Sequence, residues 1–298
     1  LFSFQKDFID EKRLNNFYNK SYYGIPQCLP IDIKYFDYSR AKIFKIDKKV
    51  FSKKIFNTTN LNYVGNKKYF RYGNIFASNV SLKKGYYKNF QFYKKNVLKT
   101  CKLIKNLNNK FKNICSMQIR NAPHYGHEAV FNYILDKFDL LILNPIYGLK
   151  KKNDFSDRYI TKSLKFMEKK YKRLKFLPIY SNFYYGGPRE ALHHLTIRQN
   201  LGFKNFYIGR DHAGAEKIYK ELASVKLAKK YEKKFKIKSV TTEGGYYCAK
   251  CKKYVIKKSC GHKKFVNISG TKFRYCLKNK FIYSHADNNL QRLLLKHL

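Results

Sequence analysis

Within the eleven residues Gln118 to Glu128 the chain reads Gln-Ile-Arg-Asn-Ala-Pro-His-Tyr-Gly-His-Glu. Glutamine, arginine, asparagine and two histidines offer N–H donors and positive charge, the chemistry that binds polyanions such as phosphate. His124 and His127 are three apart, so on a helix they lie one turn above each other, and Gly126 between them allows close backbone approach. The flanking residues say what must position them. Ile114, Met117 and Ile119 read as the end of a short buried strand, and Arg120–Pro123 breaks it. A helical pattern begins near His127, with Val130, Ile134, Leu135 and Phe138 on one face. A strand, a polar turn and a helix form the first half of a nucleotide-binding crossover, in which the helix N-terminus presents free N–H groups and a positive dipole end.

Three further stretches carry chemistry. Phe203–Ile208 is predicted to be a strand that empties into Gly209-Arg210-Asp211-His212-Ala213-Gly214. Parallel sheets bind ligands at the carboxyl ends of their strands, so a glycine-rich turn with Arg, Asp and His there is an anion and ribose site. Gly186-Gly187-Pro188-Arg189-Glu190-Ala191 leads into a helix through Leu195, Ile197 and Asn200, with Pro188 in the first turn and Arg189 read as structural support. Ile268-Ser269-Gly270-Thr271-Lys272-Phe273-Arg274 predicts a helix capped by Ser269, whose start and whose Lys272 and Arg274 face phosphates. Separate from these, Cys248-x2-Cys251 and Cys260-Gly261-His262 make a Cys3His set suited to tetrahedral Zn2+. Four protein ligands leave no position for water, which implies a structural knuckle; a redox pair is the alternative use of these thiols.

The segment Gln118–Glu128 resembles the Q-T-R-N-P-x-H-x-x-H-E signature of ATP sulfurylases (sulfate adenylyltransferases), with Ile119 in place of Thr and Ala122 in place of the first Pro. His124–His127 is also the H-x-G-H box of the wider nucleotidylyltransferase superfamily. Gly186–Ala191 resembles the family's A-G-P-R-E-A, Gly209–Gly214 its G-R-D-H-A-G, Asn144–Gly148 its loop after the second strand, and Ile268–Arg274 its I-S-G-T-K-x-R. The resemblance implies adenylyl transfer from ATP to sulfate, giving adenosine 5′-phosphosulfate and pyrophosphate. It implies that Gln118, Arg120 and the N–H of Ala213 hold sulfate, and that Arg120, Asn121, His124 and His127 are catalytic. Gln118, Asn121, His124 and His127 with Gly209, Arg210, Asp211 and His212 would bind ATP. Mg2+ would arrive bound to ATP, and a homo-oligomer, a dimer, is expected. The alternatives are a nucleotidylyltransferase with another acceptor and a non-catalytic basic RNA-binding relative.

The fold expected is α/β: a Rossmann-like parallel-sheet nucleotidylyltransferase domain over residues 96–240. Short alternating runs such as Ala41–Ile46 and Lys68–Tyr72 predict a β-rich, PUA-like domain over 1–95, incomplete at its start. A small C-terminal part, 241–298, carries the zinc knuckle and Ile268–Arg274. Lys+Arg 64 against Asp+Glu 19 gives a net charge of +45. The lysines are spread along the chain and, with Asn, Ile, Phe and Tyr, use A/T-rich codons, so the charge reads as codon bias and nucleic acid is not the expected partner. Seven cysteines without a secretory segment argue against a disulfide framework. No apolar run approaches the ~20 residues that cross a bilayer. A cytoplasmic location follows, or an organellar one if a leader preceded Leu1.

Overall fold

A computed structural model describes residues 8–20, 22–148, 154–256 and 259–296. The chain packs as two compact units whose segments interleave: one is made of residues 1–107, 184–202 and 211–237, the other of 108–183, 203–210 and 238–298.

The second unit is built on a five-stranded parallel sheet. Its strands are β1 (Ile114–Met117), β2 (Leu140–Leu143), β3 (Leu174–Phe176), β4 (Asn205–Ile208) and β5 (Lys238–Thr241). Their spatial order is β3-β2-β1-β4-β5, all pairs parallel. Every residue of β1 and β2 is buried, which is why Ile-Cys-Ser-Met and Leu-Leu-Ile-Leu show no polar alternation. The strand order reverses between β1 and β4, so the crevice at the carboxyl ends of these two strands is the place where such sheets take ligands.

One core lies against the sheet face carrying Cys115, Met117, Leu141 and Leu143. Helix α1 (Tyr125–Leu135) contributes Val130, Phe131, Ile134 and Leu135, and α2 (Asp157–Lys170) contributes Ile160, Leu164 and Met167. Helices α3 (Gly270–Lys278) and α4 (Asn288–Leu295) add Phe273, Leu277, Leu290 and Leu294. A three-stranded antiparallel sheet completes the unit: β6 (Gly245–Cys248) lies between β7 (Lys253–Ile256) and β8 (Phe265–Asn267).

The apolar run Phe176–Tyr180, which reads in the sequence as a single strand, is divided. β3 ends at Phe176, and Ile179–Tyr180 pairs instead with Ile146–Tyr147 in a separate two-stranded ladder. Pro178 has no N–H to give to the first sheet, so the ladder stops there.

In the first unit, Ile75–Ser78 lies between Leu29–Pro30 and Lys42–Lys45 in an antiparallel sheet, and Phe36–Asp37 pairs with Ser81–Leu82. Helices Glu11–Tyr18, Val64–Tyr69, Gly187–Asn200 and Ala223–Lys230, with most of the long helix Tyr87–Lys110, belong to it as well. Lys68–Tyr72 was expected to extend but instead ends the helix Val64–Tyr69 and turns away. Tyr69 and Phe70 are both buried, with ring centroids 4.2 and 5.2 Å from that of Phe51. Two consecutive buried aromatics cannot share one face of a strand, so the apparent alternation does not specify one.

Candidate active site

The turn after β1 carries the first cluster. Gln118 Oε1 is buried and accepts no hydrogen bond among the described residues. The Arg120 Nε lies 3.9 Å from Oδ2 of Asp154, whose side chain is fully buried. Asn121 Oδ1 accepts from Arg274 Nη1, and Arg274 Nη2 donates to Thr271 Oγ1 at 3.2 Å. Ser269 caps α3 as expected, its Oγ accepting from the Lys272 N–H at 3.2 Å. The two motifs Gln118–Glu128 and Ile268–Arg274, about 150 residues apart in sequence, therefore meet through the Asn121–Arg274 pair.

Helix α1 starts at Tyr125, with His124 in extended conformation at its N-cap. The His124 N–H donates to His127 Nδ1 at 3.3 Å, and the two rings lie 3.9 Å apart between centroids. His124 Nδ1 is buried without a hydrogen-bond partner among the described residues. The motif thus carries two buried polar atoms, His124 Nδ1 and Gln118 Oε1, whose hydrogen-bonding capacity is left for a ligand. Burial pushes the His124 pKa well below its ordinary value, with His127, His285 and Arg210 adding to the effect, and burial lowers that of His127 to about 4. Both imidazoles are thus neutral at pH 7, and the positive charge of this cluster belongs to the arginines. Glu128, next along the helix, accepts from Tyr171 Oη at 2.6 Å and from Lys170 Nζ at 2.8 Å, and Lys170 also reaches Asp287 at 2.7 Å. That bridge fixes the first turn of α1 to the end of α2 and the start of α4.

The depressed histidines set a pH dependence. The folded pKa of His127, about 4, lies below its unfolded value of about 6.5, so between these limits the unfolded chain binds more protons. Stability is expected to be complete above pH 6.5 and to fall as the pH drops toward 4. Urea unfolding across this window should show that slope, and His127→Gln should flatten it; an unchanged slope contradicts the assignment.

Gly209 and Arg210 follow β4 into the same crevice. A Cβ on Gly209 would make only an ordinary contact, 3.5 Å from Tyr207 Cε1, so the fold itself does not demand glycine there. Arg210 Nη1 donates to Tyr246 Oη, Nη2 donates to Asn267 Oδ1 at 3.1 Å, and its guanidinium carbon lies 4.9 Å from the centre of the Tyr246 ring.

Asp211, His212 and Ala213 fall in the first unit. His212 is buried there, its Nε2 2.9 Å from His194 Nδ1, and its carbonyl accepts from Ser224 Oγ at 3.0 Å. His194 Nε2 in turn lies 3.4 Å from Glu190 Oε1. Ala213 has φ +55° and its carbonyl accepts from the Gly187 N–H at 3.2 Å. Gly187 itself sits at φ +50°, where a Cβ would lie 2.5 Å from the Tyr219 ring, so only glycine fits. Glu190 caps this loop, accepting from the N–H groups of Tyr184 and Gly186 at 2.9 and 2.8 Å. Arg189 donates to the carbonyls of Phe17 and Gly24, a structural role. The predicted sulfate ligands are thus divided between the units, Gln118 and Arg120 in one and Ala213 in the other.

Cys248, Cys251, Cys260 and His262 come together, their ligand atoms all within 4.8 Å of one another. His262 Nδ1 is 3.1 Å from Cys251 Sγ and 3.5 Å from Cys248 Sγ. Ligands at tetrahedral Zn2+ stand about 3.5–3.8 Å apart, so the donor set and its spacing fit that ion. The Cys251 N–H, 3.5 Å from Cys248 Sγ, helps lower the Cys248 thiol to about 6. Tyr246, Asn267, Asp154 and His194 were not singled out from the sequence; each acts across the fold and has no local signature.

A parallel α/β sheet with cationic and N–H groups around its switch point is the architecture on which such sheets take nucleotides. A family model for ATP-sulfurylase matches residues 93–281. A sulfate adenylyltransferase of Thermococcus onnurineus is 34% identical over 239 residues, 78% of this chain and 62% of that protein. One from Pyrococcus abyssi is 32% identical over 238 residues, with the same coverages of 78% and 62%. Among solved structures, the hexameric APS kinase from Thiobacillus denitrificans is similar at a TM-score of 0.53 and 10% identity, over 74% of this chain and 43% of that one, a likeness of fold. The chain belongs to the ATP-sulfurylase family. It spans about 62% of the length of these two curated relatives. Among the described residues no helix is long and apolar enough to cross a membrane.

Proposed function

We propose that the protein transfers the adenylyl group of ATP to sulfate, releasing pyrophosphate. The observation that carries this reading is the meeting of Asn121 and Arg274. It gathers Gln118, Arg120, Asn121, His124 and His127 with the start of α3 at the carboxyl end of β1, and Arg210 leaves the neighbouring β4. In the reaction a sulfate oxygen attacks the α-phosphorus, forming the new P–O bond. The bond from the α-phosphorus to the bridging oxygen breaks, and pyrophosphate leaves with the electron pair. No proton need move and no protein nucleophile is required. Catalysis is positioning and charge stabilisation, the task of cations and N–H donors.

Gln118 and Arg120 hold the sulfate. Arg120 presents a planar fork that matches a tetrahedral oxyanion bidentately, and the buried Asp154 steadies it. Asn121, its carbonyl oxygen already committed to Arg274, offers its amide N–H to the phosphates. His124 and His127 act as neutral donors, so they stabilise the charge that grows on the leaving pyrophosphate without clamping the ground state. Gly209 and Arg210 line the nucleotide site. Mg2+ enters with ATP. The Cys3His set would hold a structural Zn2+ that closes the β6–β7 hairpin, and the assembly would be a homodimer. Pyrophosphate release from Mg-ATP in the presence of molybdate, which replaces sulfate and gives an unstable product, tests the reading.

A further inference from the structure

The strand β6 runs Gly245-Tyr246-Tyr247-Cys248, and its residues reach different parts of the second unit. Gly245 lies against the backbone of Gly126, between the two histidines of α1. Tyr246 holds Arg210 by its hydroxyl and places its ring by the guanidinium. Cys248 is a member of the thiol–imidazole cluster. The cluster's other members lie in the two connections of this small sheet: Cys251 between β6 and β7, and Cys260 and His262 between β7 and β8. Drawing them to one point fixes where β8 lies on β6. In that register Tyr246 faces Asn267, and these two residues take the two ends of the Arg210 guanidinium.

We infer that Tyr246 is a positioning residue for the nucleotide site: with Asn267 it holds Arg210, and through it the Cys248–Cys251–Cys260–His262 cluster acts on nucleotide affinity as well as on stability. Cys248 and Tyr246 share β6, and Tyr246 pairs with Asn267 of β8, so loosening this strand pair weakens the hold of Tyr246 and Asn267 on the guanidinium. The inference rests on the adenylyl-transfer reading for the identity of the ligand, and on the geometry alone for the coupling.

The test is calorimetric binding of Mg2+ with α,β-methylene ATP, an analogue that cannot release pyrophosphate, alongside zinc content and the KM for molybdate. Tyr246→Ala should weaken the analogue about tenfold, because a charge-assisted hydrogen bond and a cation–π contact are lost together. Tyr246→Phe, which keeps the ring, and Asn267→Ala should each weaken it about threefold. The KM for molybdate should stay unchanged in all three. Cys251→Ser should lose bound zinc and weaken the analogue in the same direction, and the double variant with Tyr246→Ala should be no weaker than the weaker single one. Wild-type affinity in Tyr246→Ala, or effects of the two substitutions that multiply, would overturn the inference. If Tyr246→Ala fails to fold, wild-type affinity in both Tyr246→Phe and Asn267→Ala overturns it equally. Unaltered protein that binds no analogue removes both this inference and the adenylyl-transfer reading. Binding with the expected losses but no pyrophosphate release removes only that reading.

Discussion

Replacing Arg120 with alanine lowers molybdate-dependent pyrophosphate release by about 10^2–10^3-fold, the cost of removing one pre-organised oxyanion donor. Arg120 is the one Lys or Arg in the stretch Gln118–His124, and both neighbouring histidines are neutral at pH 7, so nothing beside it on that turn can take over the charge. Arg120→Lys should fall between the two, because an ammonium restores a point charge but not the two-pronged geometry. Binding of the nucleotide analogue should be little changed in both variants, since the loss falls on the sulfate side. Steady-state rates over a molybdate series measure this. An unchanged rate in Arg120→Ala would remove the sulfate assignment.

Gly245→Ala is expected to cost about 3 kcal/mol of stability and to lower the melting temperature by roughly 5–10 °C. A Cβ there would stand 2.0 Å from the carbonyl oxygen of Gly126 and 2.8 Å from its carbonyl carbon. Both are backbone atoms, so no side chain can rotate out of the way, and β6 or α1 must shift. A shift of α1 moves His124 and His127, so activity should fall with stability. Alanine at Gly85, where a Cβ meets nothing within 4 Å, is the control and should leave both unaltered. Differential scanning calorimetry of the variants decides it; a wild-type melting temperature for Gly245→Ala would mean the contact between β6 and α1 is not as tight as described.

What the sequence disclosed follows from the range of the interactions. The runs Ile114–Met117, Leu140–Leu143 and Asn205–Ile208 are short, apolar and bounded by turn residues, which is how strands of a buried parallel sheet read. The Ser269 cap was legible because it acts three residues away. The break at Pro178 was legible in principle, yet the apolar run around it masked two pairings with different partners. Helix α1 begins two residues before the point where its apolar periodicity becomes visible, because the His124–His127 contact at its start is polar. Least legible were groups that act across long separations. Asp154 by Arg120, Tyr246 and Asn267 on Arg210, and His194 on His212 belong to no motif, and only the folded chain brings them together. The interleaving of two compact units, which separates Arg210 from Asp211 at a single peptide bond, has no local signal at all.

The most direct test of the central claim is pyrophosphate release from Mg-ATP by the purified protein, with and without molybdate and with sulfate added as competitor. Adenylyl transfer to sulfate predicts release that requires molybdate and declines as sulfate rises. Release that ignores both oxyanions, or none from folded protein under any of these conditions, would contradict it.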